Sequence, residues 1–183
     1  MNGTLTTVSG KPALRFERRL KHPVEKVWKA ITDPAELAHW FPQRVEGATS
    51  VDGEIFVPGA RLRFPFDEKV VMDGEVVPDF EGEVLEVDPP RVLAYTWGED
   101  VLRFELTPDG AGCLLVFTDT IVDRGKAARD GSGWHVCLDG LEARLDGSAP
   151  PAEDHWTALY RGYTASFGPE ASTAPLPAGY DPN

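Results

Sequence analysis

Two charged residues lie where apolar residues are expected, and their chemistry is that of a buried ion pair. Arg18 and Asp119 each fall on the apolar side of a segment in which apolar and polar residues alternate. A single inward charge costs several kcal/mol, so two of opposite sign indicate a compensated pair. If Leu20 lies near Phe117 on neighbouring antiparallel strands, the two charged side chains lie opposite each other. We therefore expect a polar pair that faces an internal cavity; the alternative is that the sheet twists outward there and both charges reach water.

The histidines and cysteines give no comparable signal. None of the four histidines has an HxH or HExxH spacing, and the two cysteines do not complete a metal-ligand pattern. His39, beside Trp40, is the one candidate acid or base, although a single histidine on a helix is more often a surface residue. Tyr95 could donate a hydrogen bond into a cavity, but without a partner base it is interpreted as a core residue. We therefore assign no catalytic residue, no metal and no cofactor, and leave enzyme activity open.

The composition excludes several classes of protein. The chain has 183 residues, with 18 Lys and Arg against 30 Asp and Glu, and 42% hydrophobic residues. This length and apolar content fit one globular domain rather than a disordered chain. A formal charge of −12 without a basic run argues against nucleic acid and anionic membranes as partners. The longest apolar run, residues 113–117, is far too short for membrane insertion, so we expect a soluble, cytoplasmic protein.

Hydropathy periodicity indicates the elements that must position these residues. Alternation predicts a strand over residues 14–20, and helical spacing predicts two short helices over residues 22–33 and 34–41. Alternating runs separated by Gly, Pro and Asp predict an antiparallel meander over residues 44–121. Helical spacing returns over residues 126–145, which predicts a long helix with one apolar stripe. This order of elements predicts an α+β fold in which the long helix covers an aromatic face of the sheet.

Three segments, in the expected order, resemble one known superfamily. The opening motif of the SRPBCC (START-like) superfamily is similar to residues 22–41, HPVEKVWKAITDPAELAHWF. The similarity is closest to the AHSA branch, the homologues of the heat-shock chaperone ATPase activator. The middle signature of that branch matches residues 81–97, EGEVLEVDPPRVLAYTW, and its last helix resembles Gly133–Trp134 followed by Leu138 and Leu141.

The resemblance implies a fold and a ligand site. The fold is the helix-grip fold over residues 13–147, with a seven-stranded antiparallel sheet wrapped around a long C-terminal helix and two short helices after the first strand. Members of the superfamily share a cavity between sheet and helix, which holds a small hydrophobic or aromatic ligand, but no catalytic motif. The alternative is that the inward residues simply fill a core. The residues expected to line the cavity are Trp28, Trp40, Phe41, Phe64, Phe66, Tyr95, Trp97, Phe104, Phe117, Trp134, Leu138 and Leu141.

The expected function is therefore the binding of a small hydrophobic or aromatic molecule, and two alternatives stay open. One is a cyclase or hydrolase type of enzyme that uses the same cavity. It would need polar groups such as His39, Tyr95, Arg18 or Asp119 to converge on one bound atom. The other is a chaperone-cofactor-like protein interaction domain, which an exposed apolar patch would favour.

The two ends of the chain differ in composition from the domain. Residues 1–12 are polar and end in Lys–Pro, so we expect a flexible lead-in. Residues 148–183 form an extension in which apolar residues at helical spacing predict an amphipathic helix over about 153–167. We expect this helix to pack on the core or on a second subunit, which would make a homodimer. The proline-rich residues beyond 168 are expected to be extended or disordered.

Overall fold

Ten strands are present in the part of the chain that the computed structural model describes, residues 2–48, 53–66, 69–72, 75–152 and 155–176. In chain order they are β1 (Thr4–Val8), β2 (Lys11–Leu20), β3 (Glu46–Gly47), β4 (Arg61–Phe64), β5 (Val71–Met72), β6 (Glu75–Val76), β7 (Phe80–Asp88), β8 (Val92–Trp97), β9 (Asp100–Asp109) and β10 (Gly112–Thr120). Eight of them form one antiparallel sheet in the order β1-β2-β10-β9-β8-β7-β4-β3, and β5 pairs with β6 alone.

Four α-helices and two short 3-10 helices complete the described structure. The α-helices are α1 (Val24–Thr32), α2 (Pro34–Leu37), α3 (Ala127–Asp146) and α4 (His155–Phe167), and the 3-10 helices span Arg124–Lys126 and Pro169–Ala171. Among the described helices, none combines the length and the apolar character that crossing a membrane requires.

The inner face of the sheet is aromatic because alternate residues of each strand point inward. Phe16 on β2, Phe117 on β10 and Phe104 on β9 lie side by side in register, and each is at most 1% exposed. In antiparallel strands such neighbours pack directly against one another. This row of rings forms the floor of the core.

The long helix α3 covers that floor. Trp134, Leu138, Leu141 and Leu145 follow one another at spacings of three or four residues, and all four side chains are buried. The Trp134 ring lies 4.8 Å from the Phe117 ring, measured between centroids. The apolar stripe predicted from helical spacing is therefore the face that packs on the sheet.

The α+β helix-grip fold is confirmed, but the prediction of a flexible lead-in over residues 1–12 is wrong. β1 pairs with the first half of β2 and adds an eighth strand to the seven expected. The connection is a two-residue turn with positive φ at both positions, 49° at Ser9 and 82° at Gly10, as a type I′ hairpin turn requires. Most side chains of β1 are exposed, which explains why its sequence is polar.

The C-terminal extension packs on its own chain. The predicted amphipathic helix is observed as α4 from His155 to Phe167, while residues 153 and 154 lie outside the described residues. Tyr163 is buried, and its hydroxyl accepts a hydrogen bond from the backbone N–H of Gly3 at 2.7 Å. Of the two expected sites for this helix, the core is the one observed; a homodimer stays a prediction.

The residues after α4 also have defined structure, so the expectation of disorder is wrong as far as residue 176. Ala171 is fully buried, and the backbone N–H groups of Thr173 and Ala174 donate to the Gly125 carbonyl at 2.9 and 3.1 Å. Buried apolar surface and paired backbone groups are what a disordered segment lacks. The rest of the predicted disordered end, residues 177–183, lies outside the described residues.

Candidate functional site

A cavity of about 420 Å³ lies at one edge of the aromatic face, between the turn from β8 to β9, the first half of α3, and α4. One part of its wall is aromatic and the other is polar and charged. The aromatic residues are Phe66, Phe80, Trp97, Trp134 and Trp156. The polar and charged residues are Gln43, Glu99, Asp100, Lys126, Arg129 and Asp130.

The aromatic wall is a chain of rings that meet edge to face. Phe66 and Phe80 have ring centroids 5.4 Å apart, Phe80 and Trp97 4.8 Å, and Trp97 and Trp134 5.3 Å. The interplanar angles are 76°, 82° and 62°. Edge-to-face packing stabilises such a wall beyond the burial of its area, so the rings hold their positions without a ligand.

Gln43 fixes the orientation of one ring in that wall. Its side-chain oxygen accepts a hydrogen bond from Trp97 Nε1 at 2.8 Å, and its side-chain nitrogen donates to the Phe64 carbonyl at 2.8 Å. Because both ends of the amide are used, the Trp97 indole is held in one place. Gln43 lies in the loop after α2, which ends at Leu37, and its side chain is buried.

A network of ion pairs forms the polar end. Lys126 Nζ contacts Asp100 Oδ2 and lies 3.6 Å from Asp130 Oδ2, while Arg129 Nε donates to Asp130 Oδ1 at 2.7 Å. Asp100 also accepts the backbone N–H of Val122 at 3.1 Å. Burial lowers the pKa of Lys126, but attraction to Asp130 and Asp100 outweighs it and leaves that pKa raised. The lysine is therefore charged and stays a hydrogen-bond donor.

Asp119 lies behind this end of the cavity rather than in its wall. It is fully buried, its Oδ2 accepts a hydrogen bond from Trp134 Nε1 at 2.8 Å, and its Oδ1 has no partner among the described residues. Burial raises the pKa of Asp119 well above its ordinary value, and the nearby carboxylates of Asp100 and Asp130 raise it further. Asp119 therefore positions Trp134 from the inside and is poised to take up a proton.

The predicted pair between Arg18 and Asp119 is wrong, although both side chains are buried as expected. In the observed register of β2 and β10, Arg18 lies opposite Leu115 and Asp119 lies opposite Leu14. The assumed register placed Leu20 near Phe117, but Leu20 lies opposite Cys113 instead. The two charges are therefore separated along the sheet.

Arg18 finds its counter-charges on α3. Its guanidinium lies 3.2 Å from Asp139 Oδ1 and 3.2 Å from Glu142 Oε1, and the Arg18 side chain is 4% exposed. Acidic residues one turn apart on a helix present both carboxylates to the same neighbour. The compensation that was expected across the sheet is supplied by the helix that covers it.

The structure brings three of the twelve expected lining residues to this cavity, namely Phe66, Trp97 and Trp134. Trp134 fills the centre of the aromatic face, with its ring 4.8 Å from Phe117 and 5.7 Å from Phe41, so the open space is displaced to the edge. The other nine residues lie in the hydrophobic core or packed against it: Trp28, Trp40, Phe41, Phe64, Tyr95, Phe104, Phe117, Leu138 and Leu141.

Several residues that line the cavity were not predicted from the sequence. Phe80 and Trp156 carried a usable signal, since each is a large aromatic residue at the start of an element. No sequence signal pointed to Gln43, Lys126 or Asp130. Nothing in the order of residues shows that the chain after α2 and the start of α3 meet at one edge of the sheet.

The polar groups suggested for an enzyme do not converge at the cavity. His39 is exposed near the end of α2, and Tyr95 is fully buried in the core, where burial raises its pKa above the ordinary value. Arg18 and Asp119 have the partners described above. Cys137 does line the cavity, but burial raises the pKa of its thiol to about 12, so the reactive thiolate form is suppressed at neutral pH.

Comparison with known proteins places the fold. No curated protein matches the chain. Among solved structures, CalU16 from Micromonospora echinospora has a TM-score of 0.67 at 21% sequence identity, over 90% of this chain and 95% of that one. The conserved protein EF2215 from Enterococcus faecalis has a TM-score of 0.68 at 18% identity, over 90% and 89%. The protein encoded by BPP1335 of Bordetella parapertussis has a TM-score of 0.61 at 28% identity, over 91% and 89%.

A family profile decides the assignment. Residues 21–146 match the profile described as activator of Hsp90 ATPase homolog 1-like protein, and this match spans more than half of the chain. It covers both short helices, the sheet from β3 to β10 and the whole of α3, and it includes every residue that lines the cavity except Trp156 of α4. The chain therefore belongs to the activator of Hsp90 ATPase homolog 1-like family, with the SRPBCC type of helix-grip fold.

Proposed function

We propose that the chain binds a small aromatic ligand in the cavity between the sheet and α3, with an oxygen acceptor of that ligand directed at Lys126. The observation that carries this proposal is a cavity of about 420 Å³ with five aromatic residues on one side and an ion-pair network on the other. Its volume is within the range of about 300 to 1,000 Å³ that is usual for small-molecule sites.

The aromatic wall supports the ring part of the ligand. Transfer of apolar surface from water stabilises binding by about 25 cal/mol for each Å² that is buried. The edges and faces of Phe80, Trp97 and Trp134 line the cavity, so a planar guest can stack on one ring and meet the edge of the next. This geometry favours fused or linked aromatic rings over a flexible chain.

The ion-pair network supports the acceptor group. An ammonium has three N–H donors, and Lys126 uses two directions toward Asp100 and Asp130. The third N–H of the Lys126 ammonium can donate a hydrogen bond to a carbonyl, hydroxyl or carboxylate oxygen of the ligand. Two basic side chains, Lys126 and Arg129, line the cavity together with three acidic ones, Glu99, Asp100 and Asp130, so the acceptor needs to bring no negative charge of its own.

Gly133 offers a direct test, because it lines the cavity and a Cβ atom built on it would meet nothing within 4 Å. Gly133→Leu therefore places a side chain into the cavity, and its Cβ atom meets no neighbouring atom. Leucine also favours a helix over glycine by about 1 kcal/mol. The free energy of unfolding of the variant should therefore be at least as large as that of the wild type. The matched control is Gly162→Leu on α4, where a Cβ atom also meets nothing within 4 Å.

The experiment is calorimetric titration of the three proteins with a panel of two-ring aromatic alcohols and carboxylic acids that includes 2-naphthol. We expect binding to wild type and Gly162→Leu, and affinity at least about 10-fold weaker for Gly133→Leu, since the added side chain occupies the ring site. Equal affinity of Gly133→Leu and wild type would remove the cavity as the site. No binding of any compound to wild type would favour the protein-interaction alternative.

A further inference from the structure

A second cluster of polar side chains joins α3 to α4, away from the aromatic cavity. His135 and Asp139 lie one turn apart on α3, and His155 is the first residue of α4. Asp139 Oδ2 lies 3.2 Å from His155 Nε2 and 3.6 Å from His135 Nε2. Across the three residues, the atoms able to bind a metal all lie within 4.8 Å of one another.

These separations are those of ligands around one small cation. Imidazole nitrogens and carboxylate oxygens bind Zn²⁺ at about 2.0 to 2.2 Å, and at tetrahedral angles such ligand atoms are about 3.4 Å apart. The separations of 3.2 and 3.6 Å from Asp139 Oδ2 to the two imidazole nitrogens bracket that distance. The third separation, between the two imidazoles, is at most 4.8 Å, so one metal ion can be bound once the two imidazole rings turn toward each other.

The surrounding residues hold the ligands in the orientation that a metal needs. The Nδ1 atom of His135 lies 2.8 Å from the Tyr163 hydroxyl, whose oxygen also accepts the Gly3 N–H. A hydroxyl oxygen has two lone pairs, so it can accept from Nδ1–H as well and leave Nε2 unprotonated toward Asp139. Arg18 contacts Asp139 Oδ1, which leaves Oδ2 for both imidazoles. Outer partners of this kind are typical of histidine and carboxylate metal ligands.

The cluster is open on one side. A polar cavity of about 420 Å³, lined in part by Asp139, Glu142, Asp146 and His155, adjoins it. The His155 side chain is 38% exposed, whereas that of His135 is 8% exposed. This cavity supplies an entry path, room for a water molecule as a further ligand, and acidic side chains that attract a cation.

We propose that His135, Asp139 and His155 form a binding site for one divalent transition-metal ion, of which Zn²⁺ is the probe of choice. Two imidazoles and one carboxylate are a ligand set that suits Zn²⁺ and related ions. The bound ion ties α4 to α3 and so stabilises the packing of the C-terminal extension. Histidine spacing along the chain predicted no such site, because the third ligand lies on another helix.

The test uses the full chain without a histidine tag, dialysed against a chelator and titrated with ZnCl₂ by calorimetry. His155→Ala is the main variant, because His155 is half-exposed and its removal leaves the core intact. The control is His39→Ala, which removes an exposed histidine outside the cluster. A second control, Asp130→Asn, separates this site from the acidic group Asp100, Asp119 and Asp130, whose carboxylates also approach one another within 4.8 Å.

We expect one Zn²⁺ per chain in the wild type and in both controls, with affinity at least about 10-fold weaker in His155→Ala. Zn²⁺ should also raise the melting temperature of the wild type and His39→Ala but not of His155→Ala. With Co²⁺ in place of Zn²⁺, the visible absorption bands of a low-symmetry site should appear only in proteins that keep His155. Equal Zn²⁺ affinity in His155→Ala and His39→Ala, or no stoichiometric binding by the wild type, would overturn the proposal.

Discussion

Asp119 is fully buried behind Trp134, and the carboxylates of Asp100 and Asp130 lie within 4.8 Å of its own. Burial, followed by repulsion from these two neighbours, raises its pKa well above the ordinary value of 3.8. The folded chain therefore binds a proton at Asp119 more readily than the unfolded chain does. The stability that comes from this protonation is present below pH 3.8 and is lost as the pH rises through the raised pKa.

Asp119→Asn tests this ionisation. The amide keeps an oxygen for Trp134 Nε1 and places an N–H₂ group beside the two neighbouring carboxylates, so it imitates the protonated acid. Above pH 4 the free energy of unfolding of the wild type should fall relative to the variant. The slope of that difference approaches about 1.4 kcal/mol for each pH unit within the titration range.

The measurement is urea unfolding of both proteins at several pH values, with Glu25→Gln on the exposed face of α1 as the control. The control should follow the wild type, because its carboxylate is exposed. A difference between Asp119→Asn and wild type that does not change with pH would show that Asp119 has the same pKa in the folded and unfolded chains.

At the scale of elements, Tyr163 connects three parts of the chain. Its hydroxyl accepts the buried N–H of Gly3 just before β1 and contacts His135 of α3, while its own backbone belongs to α4. The first strand and the last helix are both additions to the region that matches the family profile. The Tyr163 hydroxyl thus connects α4 with the residue before β1. From the sequence, β1 was expected to be part of a flexible lead-in and α4 part of an extension outside the domain.

Tyr163→Phe should destabilise the protein by about 1 to 3 kcal/mol, because it leaves the Gly3 N–H buried without an acceptor. The matched control is Tyr160→Phe, since Tyr160 is also buried on α4 and its hydroxyl makes no hydrogen bond with a described residue. The control should change the free energy of unfolding by less than about 0.5 kcal/mol. Equal effects of the two substitutions, measured by urea unfolding without added metal, would contradict the role of the hydroxyl.

The register between β2 and β10 shows what an element's sequence leaves undetermined. The assumed register paired Leu20 with Phe117, and the observed one pairs Leu20 with Cys113. Because side chains alternate with a period of two, a shift by an even number of residues keeps every inward residue inward. Alternation therefore predicted correctly that Arg18 and Asp119 are buried, and it could not decide which residues they meet.

At the scale of the whole molecule, the fold could be predicted from the sequence and the position of the cavity could not. The stripe Trp134, Leu138 and Leu141 and the alternation of the strands predict that α3 covers an aromatic sheet, and it does. The same pattern results whether the space below α3 is filled or empty. Trp134 fills it, and the open space lies where Trp97 and the turn before Asp100 meet the start of α3.

The central claim, that this edge cavity holds a small aromatic molecule, is tested most directly by native mass spectrometry of the intact protein after mild purification. We predict a bound organic molecule in wild type and in Gly162→Leu, and its loss from Gly133→Leu, in which the added side chain fills the cavity. Zn²⁺ has a known mass and is removed by a chelator, so it is distinguished from that molecule. Equal retention of the bound molecule by all three proteins would contradict the account. It would also be contradicted if none of the three proteins carries an organic molecule and none binds a compound of the aromatic panel.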